Sequence, residues 1–171
     1  MKYEYHNGKI YALARGTINH SLISGNAHAE LRLKLRDKGS NYLPFNSDLK
    51  LFIETTNSYV YPDTMVVCGT FDDSENCVKN ATLIVEVLSK STADYDRGDK
   101  FWLYRQIPSF KEYVLIEQKK HVVDIHYKHD NSDLWSITRY KGLNDVVKLQ
   151  SLGIELSMQE LYYQTNISSE G

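Results

Sequence analysis

Glu86 stands where an apolar residue belongs. It interrupts Ile84-Val85-Glu86-Val87-Leu88, a run otherwise suited to a sheet interior. An unpartnered buried carboxylate is very costly, so buried charges are normally paired or hold a metal. Strand alternation puts Ile84, Glu86 and Leu88 on one face and Val85 with Val87 on the other. Glu86 is therefore aimed either at a site or at a protein cation. A second carboxylate, Asp63, follows Tyr61-Pro62 and opens the apolar run Met65-Val66-Val67-Cys68. Pro62 removes a backbone donor and favours extended backbone, so Asp63 is either aimed from a strand start or sits in a plain turn. If the two strands are neighbours, both carboxylates converge on one hard cation such as Mg²⁺, which takes oxygen ligands. Asp48, in Ser47-Asp48-Leu49-Lys50-Leu51, is a third candidate, with a solvent-facing strand position as its alternative.

Positioning these groups requires strands backed by helices. Thr17 to Lys38 reads as the first helix, with Ile18, Leu22, Ala29 and Leu33 as one apolar row, Ala27, Leu31 and Leu35 beside it, and Gly39 as its stop. Asn41 to Ile53 contains alternating stretches, Tyr59 to Cys68 is rich in strand formers, and Thr82 to Leu88 reads as a buried central strand. Gly69 to Asn80 is a polar loop. A second helix runs from near Ser91, with Asp94 completing a capping box, to Gln106. Strands follow at Glu112–Ile116 and His121–Tyr127, with continuations at Trp135–Tyr140 and Val146–Leu149, and Ser157 to Tyr163 reads as a short closing helix. This order predicts a mixed sheet in an α/β or α+β fold. Residues 1–163 read as a single domain and 164–171 as a loosely held tail.

With 171 residues, 42% hydrophobic and 25% charged, the chain has the balance of an ordinary globular protein. Disorder and a disulfide mini-protein are excluded. Twenty Lys plus Arg against 22 Asp plus Glu leaves a net charge of -2, so any nucleic-acid contact must rest on a local patch. Two cysteines without zinc-finger spacing, no apolar stretch in Met1–His6 and no membrane-length segment point to the cytoplasm.

Three segments carry a family resemblance. Tyr61-Pro62-Asp63, then Glu86-Val87-Leu88-Ser89, then Asp96-Arg97-Gly98-Asp99-Lys100 through Tyr104 to Pro108-Ser109-Phe110-Lys111-Glu112-Tyr113-Val114-Leu115 resemble the Uma-type restriction endonucleases of the PD-(D/E)XK nuclease superfamily, long catalogued as a domain of unknown function. Tyr3–Tyr11 and His20 fit the same family, so the resemblance runs from about Tyr3 to Tyr163. It implies a restriction-endonuclease-like αβββαβ core with extra C-terminal strands. It also implies Mg²⁺, with Mn²⁺ as the substitute, held by Asp63, Glu86 and the Val87 carbonyl, with DNA as substrate and a homodimer as the working unit. Asp48, Tyr104 and His20 would support the site.

The signature's lysine would fall at Leu88, which cannot polarise water. Lys100, by resemblance to families in which this lysine has moved to the following helix, is the candidate replacement, and Lys90 is the alternative. Asp96, Lys100 and Tyr104 share a helix face at i, i+4 spacing, so Lys100 is also readable as a surface partner of Asp96. His121, His126 and His129 read as exposed strand or turn residues. A catalytically weak nucleic-acid-binding or protein-interaction module on the same fold is the alternative function.

Overall fold

Asn7 and Gly8 both lie in the left-handed backbone region, at φ 42° and 93°. A tight two-residue hairpin turn needs that pair of positive angles, and Asn-Gly supplies it readily. The turn joins β1 (Tyr3–His6) to β2 (Lys9–Ala12). The computed structural model describes residues 2–13, 16–69 and 76–167. Next come α1 (Ile18–Asp37), β3 (Tyr42–Asn46), β4 (Lys50–Ile53), a 3₁₀ turn at Glu54–Thr56, β5 (Ser58–Val60), β6 (Thr64–Cys68), β7 (Cys77–Val78) and β8 (Ala81–Leu88). The chain continues through α2 (Ala93–Arg97), α3 (Asp99–Tyr104), β9 (Glu112–Glu117), β10 (Val122–Lys128), β11 (Trp135–Lys141), β12 (Val146–Leu149), β13 (Ile154–Ser157) and α4 (Met158–Leu161).

Six strands form the main sheet in the order β11-β10-β9-β8-β6-β3, in which β8 and β9 are parallel and every other pair antiparallel. The parallel step is bridged by α2 and α3, the crossover that such a pair needs. A second sheet runs β2-β1-β5-β4-β7, and β12 pairs with β13 alone. This is the expected α/β architecture with a mixed sheet. All eight residues of β8 are buried, and the sheet carries a core on each face. Leu83, Val85 and Val87 face α1, while Ile84 and Leu88 pack with Tyr104, Phe110 and Tyr113 on the other side. Glu86 belongs to the second face, as strand alternation requires.

Helix α1 keeps its expected bounds. The Thr17 side chain accepts from the His20 N–H at its start, and Gly39, at φ 66°, follows its end. Its buried stripe is Ile23, Ala27, Leu31 and Leu35; the row led by Ile18 is turned outward, with Ile18 81% exposed. Two adjacent rows are similarly apolar in sequence, and only docking onto β3, β8, β13 and α4 decides between them.

The second helix is shorter than expected and broken. It starts at Ala93, and no Ser91–Asp94 capping box forms: Ser89 Oγ accepts from the Thr92 N–H at 3.2 Å and the Ser89 carbonyl from the Ala93 N–H at 2.9 Å. The break falls at Gly98 (φ −107°, ψ −90°), where a Cβ would lie 3.1 Å from the Asp94 carbonyl oxygen. Asn41–Ile53 divides into β3 and β4 because the Asn46 side chain accepts from the Asp48 N–H at 3.0 Å and turns the chain. The hairpin β1–β2 and strand β13 add to the elements expected. Residues 70–75 of the polar loop lie outside the described residues, and Cys77–Val78 pairs in parallel with β4. In the expected tail, Asn166 exchanges two hydrogen bonds with Asn19 and Ile167 packs on the α1-side core; residues 168–171 lie outside the described residues. His126 is buried against Phe101 and Tyr113 rather than exposed, because its strand face is covered by α3. Among the described residues no helix is long and apolar enough to cross a membrane.

Arg97 ties α2 to the sheet. Its guanidinium donates to Asp124 at 2.8 Å and to Glu117 at 2.9 Å, and Arg139 grips the same Asp124 in bidentate fashion at 2.6 and 2.8 Å. Burial works against the Asp124 charge, but the two guanidinium groups override it and hold its carboxyl below the usual carboxylate range. A depressed acid stabilises the fold above its unfolded pKa, and this contribution disappears as pH falls through the folded value. Asp124→Asn is expected to lower the unfolding free energy at pH 7 by about 2 kcal/mol. It should also flatten the loss of stability below about pH 4. Urea unfolding of parent and variant across pH measures both; parallel acid profiles would refute the assignment.

Candidate active site

Pairing of β6 with β8 places Thr64 opposite Val85. One step further in an antiparallel pair brings Asp63 level with Glu86. Asp63 sits at the end of the β6 ladder, where Pro62 has no N–H to offer and β8 continues with β9 as its partner. Its Oδ2 fills that gap by accepting the Val87 N–H at 2.8 Å, and His20 Nε2 lies 3.3 Å from the same oxygen. The hydrogen bond to Asp63 is the main reason that the His20 imidazole is raised above its ordinary pKa, against the opposing effect of burial. Upstream, the Tyr61 N–H donates to Glu4 Oε1 at 3.0 Å, so β1 anchors the segment that carries Asp63.

Glu86 meets a cation from the crossover. Lys100 Nζ lies 2.8 Å from Glu86 Oε1, and the Tyr104 hydroxyl donates to that oxygen at 2.6 Å. The same ammonium is 3.4 Å from Glu4 Oε1 and 3.8 Å from Asp96 Oδ1. Three carboxylates thus surround one lysine, with Asp63 close by. Burial pushes Glu86 up to about 8; Lys100 pulls against this, while Asp63 and Asp96 add to it. Asp96 is also raised, chiefly by burial. Lys100 moves the other way, well above its usual value, because its three carboxylate neighbours outweigh the cost of burying it. Tyr113 fixes the α2 end by donating to the Asp96 carbonyl at 3.0 Å.

These groups open onto a cleft of about 760 Å³ whose lining includes His20, Tyr61, Asp63, Glu86, Val87, Asp96 and Lys100. Five of the expected residues, Asp63, Glu86, Val87, Lys100 and His20, are therefore brought together, and Tyr104 supports Glu86 from the core. Asp48 is not among them. It lies in the β3–β4 turn with its side chain 83% exposed and pairs with Lys2 at 3.0 Å, because the Asn46 turn directs it to solvent. Lys90 is exposed in the turn after β8. Leu88 shares the Glu86 face but is packed among apolar side chains, so the ammonium arrives from α3 instead.

Among the described residues no three His, Cys, Asp or Glu side chains form a ready cage for a metal. Mg²⁺ is typically held by one or two carboxylates and keeps several of its waters. Asp63 and Glu86, both hard oxygen donors in a cleft with more carboxylates than cations, fit that requirement. Sequence reasoning missed Glu4 as a site residue. Asn7-Gly8 between two short alternating stretches was the available signal, since it marks the hairpin that buries Glu4.

Residues 1–159 match the sequence profile of the Uma2 family, described as "Putative restriction endonuclease". The chain belongs to the Uma2 family. Two Synechocystis relatives, "Uncharacterized protein slr1290" and "Uncharacterized protein sll1609", are 38% and 36% identical over 162 and 156 residues. The first match covers 94% of this chain and 83% of the relative; the second covers 90% and 86%. The fold is similar to the crystal structure of "a putative nuclease belonging to DUF820" from Anabaena variabilis. That match has a TM-score of 0.74 at 15% identity and covers 94% of this chain and 89% of the other. The Uma2 chain therefore has a nuclease-type fold, as its motif segments implied.

Tyr104→Phe removes one donor from Glu86 without changing the packed volume appreciably. It should cost about 1.5–3 kcal/mol of stability, the range for a bond to a charged group. Urea unfolding at neutral pH checks this, and an unchanged midpoint would show that the contact contributes nothing.

Proposed function

We propose that this Uma2 protein is a metal-dependent endonuclease that hydrolyses DNA phosphodiester bonds, with Mg²⁺, or Mn²⁺ in its place, held by Asp63, Glu86 and the Val87 carbonyl. The observation that carries the reading is the meeting of Asp63 and Glu86 at one cleft with the Lys100 ammonium 2.8 Å from Glu86. A bound divalent ion supplies Lewis-acid chemistry, acidifying water and offsetting charge on phosphate oxygens. Lys100 offsets negative charge as the phosphate is attacked and orients the attacking water. His20 and the Val87 N–H fix the Asp63 carboxylate, and Tyr104 does the same for Glu86. Lys2, which also lines the cleft, can exchange its exposed Asp48 partner for the DNA backbone in a protein of net charge -2.

Nicking and cleavage of plasmid, linear and single-stranded DNA with Mg²⁺, Mn²⁺ or EDTA tests the reading. Asp63→Asn and Glu86→Gln should each lose at least about a hundredfold in rate, the scale for removing a preorganised electrostatic contact. Both variants should keep salt-dependent DNA binding. Salt-sensitive binding by the parent without metal-dependent cleavage would instead identify a binding module.

Among the described residues the chain carries one such cleft, so cutting both strands of a duplex calls for two copies, and we propose a homodimer related by a two-fold axis. Sedimentation equilibrium should return twice the chain mass, with or without DNA. A single-chain mass under both conditions would refute the dimer.

A further inference from the structure

Glu86 Oε1 is already occupied twice, by the Lys100 ammonium at 2.8 Å and by the Tyr104 hydroxyl at 2.6 Å. If Glu86 also holds a divalent cation, the ammonium and that cation share one carboxylate and repel each other across it. Lys100 cannot retreat to water, because it is buried, and a buried ammonium without a partner is strongly disfavoured. The molecule contains an alternative. Glu4 Oε1 lies 3.4 Å from Lys100 Nζ, so closing that contact to the 2.8 Å now made with Glu86 takes 0.6 Å (3.4 − 2.8).

We propose that Glu4 is a positioning residue that offers the Lys100 ammonium a second seat, letting Lys100 release Glu86 when a divalent cation takes that carboxylate. This inference rests on the metal-dependent reading of the site given above. Several features suit Glu4 to the role. It is 1% exposed and pinned by the Tyr61 N–H at 3.0 Å, so it stays beside Lys100. Its second oxygen lies 3.5 Å from His6 Nε2. Burial acts to raise it, but Lys100, His6 and the Tyr61 N–H together hold it below the usual carboxylate range, so it remains an anion. Glu4 comes from β1, a different element from those carrying Asp63, Glu86 and Lys100. Asp96, at 3.8 Å across the Gly98 break, is the weaker seat, since it stands farther from the ammonium than Glu4 does. An ammonium has three donors and can pass between acceptors without losing all contact.

Titration calorimetry with Mn²⁺ alone, without DNA, tests the proposal on the parent, Glu4→Gln, Lys100→Met and the double variant. Gln keeps the acceptor for the Tyr61 N–H, so the Asp63 segment stays anchored. Glu4→Gln should weaken Mn²⁺ binding roughly tenfold, Lys100→Met should strengthen it, and Glu4→Gln should have little further effect once Lys100 is gone, as expected of residues that act through one another. Equal weakening by Glu4→Gln in both backgrounds would mean a plain charge effect and overturn the proposal, as would no weakening at all.

Asp63→Asn and Glu86→Gln run alongside. If both bind Mn²⁺ like the parent, the ligand assignment fails and this inference with it. If both lose binding while Glu4→Gln does not, this inference alone fails. Should Lys100→Met not fold, the ¹⁵Nζ resonance of Lys100 followed during Mg²⁺ addition replaces the cycle. It should move in the parent and move less in Glu4→Gln, and a stationary parent resonance would refute the second seat.

Discussion

One buried ammonium organises this molecule. Lys100 lies among Glu86, Glu4 and Asp96, and no single one of those pairs would repay the loss of hydration of a fully buried lysine. The three carboxylates come from β8, β1 and α2, and the lysine from α3. Satisfying the charge therefore forces the hairpin, the central strand and the crossover into one arrangement. Most of the polar contacts around the cleft serve that end. Tyr104 and Tyr113 fix Glu86 and the end of α2 from within the core, and Arg97 fixes the outer side of α2 to the sheet.

The opposite wall of the cleft depends on backbone rather than charge. β6 stops pairing where Pro62 precedes Asp63, which would leave a β8 donor exposed in the gap. The Asp63 side chain fills it, and the same carboxylate then faces His20 at the start of α1. A local deficit in the ladder thus determines where the Asp63 carboxylate points. Gly98 plays a comparable part on the other wall. Its kink, where a Cβ would crowd the Asp94 carbonyl oxygen at 3.1 Å, separates two short helices so that Asp96 and Lys100 approach Glu86 while Arg97 turns back to Asp124.

The sheet, the two carboxylates and the α3 lysine were legible in the sequence because each rests on local periodicity or on an ordered motif. Glu86 was conspicuous as a charge inside an apolar strand, and alternation alone gave its face. Asp63 became informative once paired with it. The inward stripe of α1 was not legible, since two neighbouring apolar rows differ only in what they meet after docking. Asp48 looked like a strand residue because Asn46 closes a turn that alternation does not register. Glu4 was hidden most deeply. Tyr3-Glu4-Tyr5-His6 is an ordinary half-polar stretch, and its burial follows from pairing with β5, which lies far along the chain.

That distant pairing bears on how the protein matures. The contact between Glu4 and Lys100 joins residues widely separated in sequence, and such contacts form only after a large loop has closed. Until the amino-terminal hairpin docks, Lys100 lacks one of its anions and the segment bearing Asp63 lacks its anchor at Tyr61. Completion of the cleft and completion of the fold are then one event. A partly folded chain thereby lacks the ordered pair of Asp63 and Glu86 carboxylates.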